Sequence, residues 1–286
     1  MAYTAYTLAE RPRLRPHFSR LHDVAWPPFL RDNAVSAVWP RLYTDFPDYQ
    51  IGLLDRSGTV VAVGNTIPIP WEGTSRGLPG RIVDIIERGI EARKRKRSGA
   101  ALSALAAIVD PRLRARGLST RVVVAMRDLA SRHGLRALLA PVRPSHKGRY
   151  PLTPMDRYAR WTRDDGAPFD PWLRVHWRLG ARIVKIAPRA NTVDASVAEW
   201  EERTGLHFPD SGRYIVPDAF QPIVVDREAD RVRYEEANVW MLHPVMSTMN
   251  ATSAADPGRA ARSLARCGRA DRAAAGPPGS RRRLRA

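Results

Sequence analysis

Cysteine occurs once in 286 residues, at Cys267; this excludes an intramolecular disulfide and a cysteine-rich metal site, and it fits a reducing compartment. Long apolar runs are missing as well. The uncharged apolar run Ser98 to Val109 has 12 residues, well short of the roughly 20 that cross a bilayer, so neither a transmembrane helix nor a membrane partner is expected. The N-terminus, Met1 to Arg15, lacks the continuous apolar segment and cleavage site of a secretory signal. It is expected to belong to the mature protein, with the cytoplasm as the compartment. Lysine is scarce too: Lys94, Lys96, Lys147 and Lys185 stand against 43 arginines.

What is present is positive charge. The net value of +18 would raise the concentration of polyanions near the surface, but +7 of it comes from the last 36 residues, where nine arginines face Asp256 and Asp271. An arginine excess with so little lysine is also what a GC-rich reading frame produces. The charge is therefore weak support for a nucleic-acid partner.

With 44% hydrophobic residues the chain can bury a substantial core. Residues 6 to 39 read as two helices broken by the prolines of Trp26-Pro-Pro-Phe29. Residues 49–54 and 59–69 read as antiparallel strands around the turn Asp55-Arg-Ser-Gly58. Ile82, Ile85, Ile86 and Ile90 recur at helical spacing over residues 81–91, ahead of the basic run Arg93 to Arg97. Ala101 to Val109 suits a strand buried on both faces. Leu118, Val122, Ala125, Met126, Leu129 and His133 then mark a helix closed by Gly134, and a strand follows over 135–142. Strand, loop, helix and strand in this order form the crossover unit of a parallel pair. The next 27 residues, Arg143 to Phe169, exceed the usual connection length, and such segments tend to be functional or disordered. Asp170-Pro171 opens a helix through Leu179, closed by Gly180. Strands over 183–186, 213–216, 222–225 and 239–242 complete a mixed α/β domain, residues 1–246. The rest, 247–286, is rich in Ala and Arg with almost no large apolar side chain, and a disordered tail is predicted there.

The loop Val109-Asp-Pro-Arg-Leu-Arg-Ala-Arg-Gly-Leu-Ser119 joins a buried strand to a helix N-terminus, where free N–H groups and the helix dipole favour a phosphate. Gly117 lets the main chain approach a pyrophosphate, Ser119 is small, and Arg114 and Arg116 supply charge. This stretch resembles the acetyl-CoA loop of the GNAT superfamily, Arg/Gln-x-x-Gly-x-Gly/Ala after a Val-x-Pro strand end, through Arg114, Gly117 and Ser119. A second family block ending in Leu-Gly-Phe is echoed by Val175-His-Trp-Arg-Leu-Gly-Ala181. Together the two blocks cover roughly residues 100 to 187.

The resemblance implies a GNAT-like fold, with a central mixed, partly splayed sheet flanked by helices. It implies acyl transfer from acetyl-CoA, or another acyl-CoA, to a small-molecule or peptide amine by direct attack, with no covalent intermediate and no metal. The main chain of Ala107, Ile108 and Val109 would lie along the pantetheine arm, and Arg114, Ala115, Arg116, Gly117, Leu118 and Ser119 would hold the pyrophosphate. His176 stands where the family often has the tyrosine that protonates the leaving thiolate, and a histidine titrating near neutrality suits a general acid; the alternative is a packed, hydrogen-bonded ring. No carboxylate occupies the central strand; Asp110 reads as a turn residue, and the base is left open among Asp164, Asp165, Glu235 and Glu236. The segment Ser145 to Asp165, with Trp26, Phe29 and residues 234–243, is where acceptor specificity is expected, although Tyr158, Trp161, Trp172 and Trp240 also suit core positions. Two other readings stay open: a basic nucleic-acid-binding protein using Arg93 to Arg97 and the tail, and a GNAT-fold protein that binds acyl-CoA without turnover. The sequence is compatible with a homodimer and does not decide it.

Overall fold

A computed structural model describes residues 3–31 and 33–245; the predicted tail and Cys267 lie outside the described residues. The chain begins with a short strand, β1 (Thr4–Thr7), and helix α1 (Arg15–Ala25), which ends where Pro27 and Pro28 remove the donors that would continue it. Asn33 caps α2 (Ala34–Val38), and α3 (Pro40–Asp45) follows. Strands β2 (Gln50–Leu54) and β3 (Val60–Ile69) form the expected hairpin. Its turn is tied by Asp55 Oδ1, which accepts from the amides of Ser57 and Thr59 at 2.9 and 3.0 Å.

Next come α4 (Ile82–Lys94), β4 (Ala101–Val109), α5 (Leu118–Arg132) and β5 (Ala137–Val142). The second half holds α6 (Met155–Tyr158), α7 (Pro171–Arg178), β6 (Arg182–Ala195), α8 (Val197–Thr204), β7 (Gly212–Tyr214), β8 (Ile223–Asp226) and β9 (Arg231–Pro244). The sheet runs β1-β2-β3-β4-β5-β9-β8-β7, with β6 also paired to β9. Every pairing is antiparallel except β4 with β5. One face packs on Leu42 of α3 and the isoleucines of α4, the other on Leu118, Val122 and Met126 of α5, so β4 is buried on both sides, as its unbroken apolar run requires.

Three local readings change. Residues 4–7 form an edge strand rather than the approach to a helix, because they pair with β2 over a full register. Strand β6 is 14 residues long instead of four, since its polar second half also pairs with β9, beyond a register shift at Ala187/Asn191 that breaks the alternation. Helix α8 was not anticipated, although Ser196 and Glu199 form a capping box and Gly205 closes the helix in the left-handed region.

The long segment 143–169 is held by one buried carboxylate. Asp170 accepts from the amides of Ser145 and His146 (3.2 and 2.8 Å), from the first-turn amides Trp172 and Leu173 of α7 (2.9 and 3.1 Å), and from the Tyr158 hydroxyl (2.8 Å). Tyr150, Tyr158, Trp161 and Phe169 pack edge-on or tilted around it, with ring centroids 5.0–6.2 Å apart. Removing the acceptor leaves several donors buried without partners. Asp170→Ala is expected to cost about 3–5 kcal/mol, seen as a drop of roughly 10 °C in Tm by differential scanning calorimetry, with Asp170→Asn intermediate.

Candidate active site

The site originates in a backbone irregularity. Asn65 pairs with Ala106 and Thr66 with Ala104, so Leu105 is an extra residue on β4; such a bulge bends its strand. As a result β4 and β5 pair only through Leu102↔Leu138 and Ser103↔Leu139, and they diverge beyond those two rungs. The Asp110 amide donates to Val61 O at 3.0 Å. Counting back by twos along the antiparallel ladder, the amides of Val109 and Ala107 face the opened edge.

The loop after β4 is shaped by its own polar groups. Asp110 accepts from the Arg112 amide (3.0 Å) and pairs with the Arg112 guanidinium (2.8 Å), with Arg20 at 3.8 Å. The hydrogen bond from Arg112 holds its carboxyl down at about 2, so Asp110 is the turn residue the sequence suggests. Ala115 (φ 62°) and Gly117 (φ 72°) then adopt left-handed conformations. Gly117 sits at the N-cap of α5 without a side-chain cap, and the first intrahelical bond is Arg121 N–H to Gly117 O (3.2 Å). The amides of residues 118 to 120 are thus left for a ligand. A Cβ on Gly117 would meet nothing within 4 Å, so the cradle opens outward.

Loop and opened strands belong to one cleft of about 1300 Å³ that passes between β4 and β5. Ala107, Ile108, Val109, Arg114, Ala115, Gly117, Leu118, Ser119 and His176 all line it. Arg116 is exposed and is not among the lining residues. The run Arg93 to Arg97 ends α4 away from the cleft, with Arg95 paired to Glu91.

On the α5 side of the sheet, His176 is 2% exposed and its Nδ1 lies 2.8 Å from Nε2 of His243, opposite Leu138 on β9. Trp172 packs edge-on at 4.4 Å. Burial lowers the pKa of both rings, to about 3 for His176 and about 4 for His243. The expectation of an acid titrating near neutrality is therefore corrected: both imidazoles are neutral at pH 7, one donating to the other. Their outer nitrogens, His176 Nε2 and His243 Nδ1, are buried without a partner.

On the other side, helices α1 to α3 supply one wall. Trp26 Nε1–H donates to His22 Nδ1 (3.1 Å), which fixes the proton on Nε2 and directs it to Asn65 Oδ1 (2.8 Å); Asn65 in turn donates to Gln50 (3.0 Å). His22 lines the cleft with both nitrogens committed, and burial lowers its basicity. Trp39 donates to the Tyr43 hydroxyl at 3.1 Å. The opposite wall holds Arg143, whose Nε lies 3.1 Å from both oxygens of fully buried Glu236 and whose Nη2 donates to Asp218 O (3.0 Å). Glu236 also accepts from Asn191 (3.2 Å) and Tyr234 (3.0 Å). Asn238, 3% exposed, donates through Nδ2 to Pro141 O at 3.1 Å.

None of the four acids considered as the base presents a free carboxylate here. Asp164 and Asp165 are exposed, outside the cleft lining; Glu235 pairs with Arg233; Glu236 is consumed by Arg143. Of the segment 145–165 only Ser145 lines the cleft, and of the run 234–243 only Asn238 does. Trp26 and Trp172 do line it, whereas Phe29, Tyr158 and Trp240 are core residues. Sequence reasoning missed His22, Arg143 and Asn191, and included Asn238 only as part of the run 234–243. The signal was there for Asn238 alone, a polar residue inside the apolar run 237–242.

No model of a protein family matches the chain. The chain is 32% identical to the arginine N-acetyltransferase avaD of Aspergillus versicolor, over 85% of its own length and 94% of that protein. Among solved structures it resembles the loading GNATL domain of CurA from Lyngbya majuscula, with TM-score 0.57, 16% identity and 86% and 98% of the two chains covered. It also resembles the GphF GNAT-like decarboxylase in complex with isobutyryl-CoA, with TM-score 0.55, 21% identity and 86% and 100% covered. The structural likenesses establish the fold. With the likeness in sequence to an N-acetyltransferase along nearly its whole length, they establish that the chain belongs to the GNAT superfamily, the acyl-CoA-dependent N-acyltransferases.

The neutral histidine pair sets a pH dependence. In the unfolded chain each imidazole titrates near its ordinary value of 6.5, and in the fold only at about 3 and about 4, so the unfolded state binds more protons in between. The stability they confer is complete above pH 6.5 and is lost as the pH falls toward 3. Urea unfolding at pH 7.5 and pH 5 should differ by about 4 kcal/mol from this pair, roughly 2 for each ring, and the difference should shrink in the His176→Gln/His243→Gln double variant.

Proposed function

We propose that the enzyme moves an acetyl or other short acyl group from acyl-CoA to the amine of arginine, or of a small molecule or peptide carrying arginine, in the cytoplasm. The observation that carries this reading is the continuity of the cleft, which joins the bare N-terminus of α5 to a mouth lined by Trp26, Trp39, Asp23 and Asp218. An indole face attracts a guanidinium and a carboxylate pairs with it in bidentate fashion. The name of the fungal relative, an arginine N-acetyltransferase, points the same way. A reducing compartment suits the single cysteine.

In this reading the amides of residues 118 to 120 receive the pyrophosphate, Arg114 adds charge at the cleft wall, and the opened edge of Ala107 to Val109 pairs with the pantetheine amides. Acyl-CoA is a substrate whose thioester supplies an activated acyl carbon. A β4 amide at the opened edge donates to the carbonyl oxygen as negative charge develops there. The amine nitrogen forms the new bond to the acyl carbon, the carbon–sulfur bond breaks, and the amine proton passes to solvent in the cleft while the thiolate departs. His176, being neutral, contributes an Nε2–H hydrogen bond to the departing sulfur when His243 donates to its Nδ1, rather than a resident imidazolium proton.

Thiol release from acetyl-CoA, followed with a chromogenic disulfide, tests this directly: arginine should be turned over in preference to lysine, and equal rates would overturn the assignment of the acceptor. Gly117→Val forces a β-branched residue into a left-handed conformation and displaces the cradle. It should raise KM for acetyl-CoA by about tenfold or more, with an unchanged KM for arginine.

A further inference from the structure

We propose that Asn238 Oδ1 is the fixed acceptor for an N–H of the incoming amine and so a specificity-determining residue; this rests on the acyltransferase reading above and adds to it the group that orients the nucleophile. The amide is not free to flip. Pro141 O can only accept, so the nitrogen of Asn238 must face it, as found at 3.1 Å, and the oxygen must point the other way. That oxygen has no partner, although the residue is 3% exposed and lines the cleft.

The neighbouring polar side chains are already engaged. Asn191 donates to Glu236, Arg143 is paired with Glu236, and His22 has both nitrogens bonded. Six buried side-chain polar atoms of the described residues lack partners, and among them only His176 Nε2 and Asn238 Oδ1 belong to cleft-lining residues. A buried amide oxygen left unpaired is a cost to the free protein that a ligand N–H removes.

The position fits the task. Asn238 lies one residue before the last rung between β5 and β9, Val142↔Val239, beside the end of β5 that diverges from β4. By strand alternation its side chain shares the face of Trp240, which packs with Leu42 and α4, the face that carries the aromatic wall. A primary amine approaching there has two N–H bonds and one lone pair. Holding one N–H on Asn238 turns the lone pair toward the gap between the strands, where the acyl carbon must lie, and the amine carried is the neutral, nucleophilic form.

The test compares wild type, Asn238→Leu and Asn238→Asp in the full-length protein, with acetyl-CoA and a panel of arginine, agmatine and lysine. Asn238→Leu should retain its Tm and keep KM for acetyl-CoA within about twofold, while kcat/KM for the best amine falls about 30-fold or more. Asn238→Asp keeps an acceptor oxygen but sets a carboxylate against Pro141 O. Its kcat/KM relative to wild type should recover as the pH is lowered and the carboxyl, once protonated, donates to that carbonyl. Equal acceptor kinetics in a folded Asn238→Leu overturn the assignment while leaving the transferase reading intact. So does a Tm loss in Asn238→Leu with acetyl-CoA and amine kinetics impaired alike, the mark of a purely structural tie. A wild type that releases CoA with none of the amines overturns both.

Discussion

The extra residue at Leu105 is the constraint from which the rest follows. A regular parallel pair would have closed β4 on β5 and left a continuous sheet with every main-chain group satisfied internally. One inserted residue opposite Asn65 and Thr66 tilts β4 away after two rungs, and the main-chain groups of Val109 and Ala107 lose the partner the topology promised. Buried main-chain donors are almost never left unpaired, so an edge opened in this way is suited to a ligand with amide character. The same bend carries the strand end to the uncapped N-terminus of α5, so the opened edge and that helix terminus line a single groove.

The sheet divides the chemistry of that groove. Strand β9 runs through it with alternate side chains on opposite faces: Val239, Met241 and His243 face α7 and its neighbours, while Glu236, Asn238 and Trp240 face the side of α3 and α4. The first set places an imidazole behind His176, on the side of α5. The second places a carboxylate that neutralises Arg143, and an amide, on the side of the aromatic wall. Donor and acceptor substrates would then meet only at the gap, each having approached across a surface suited to it.

The unit from residue 100 to 142 was legible because every signal in it is local: an apolar run, a glycine at a strand-to-helix turn, and a helical period. What stayed hidden depends on contacts distant in sequence. The polar half of β6 looks like loop until β9 is known to cover it. The segment 143–169 has the composition of a mobile specificity loop, and only the convergence of five donors on Asp170 shows it to be a fixed support. For His176 the sequence gives the position but not the burial that moves its titration by several pH units, since that comes from β9 lying 67 residues away. Arg143 and Glu236, 93 residues apart, have no sequence signature at all.

The two unpartnered atoms at the gap bear on how such a site survives selection for stability. His176 and Asn238 are each held by one committed bond, from Nδ1 to His243 and from Nδ2 to Pro141 O, and each commitment leaves the remaining polar atom, Nε2 or Oδ1, buried without a partner. A leucine at 238 or a phenylalanine at 176 would remove a buried unpaired group, and replacing such groups by apolar ones is often neutral or stabilising. Their presence is therefore not explained by folding. They lie on opposite faces of the sheet and line the same cleft, and in the proposed reaction the departing sulfur would lie toward His176 and the entering nitrogen toward Asn238. Direct attack on a thioester passes through a tetrahedral carbon that bears nitrogen and sulfur together, so a site for it is served by separate polar contacts for the entering and the leaving atom.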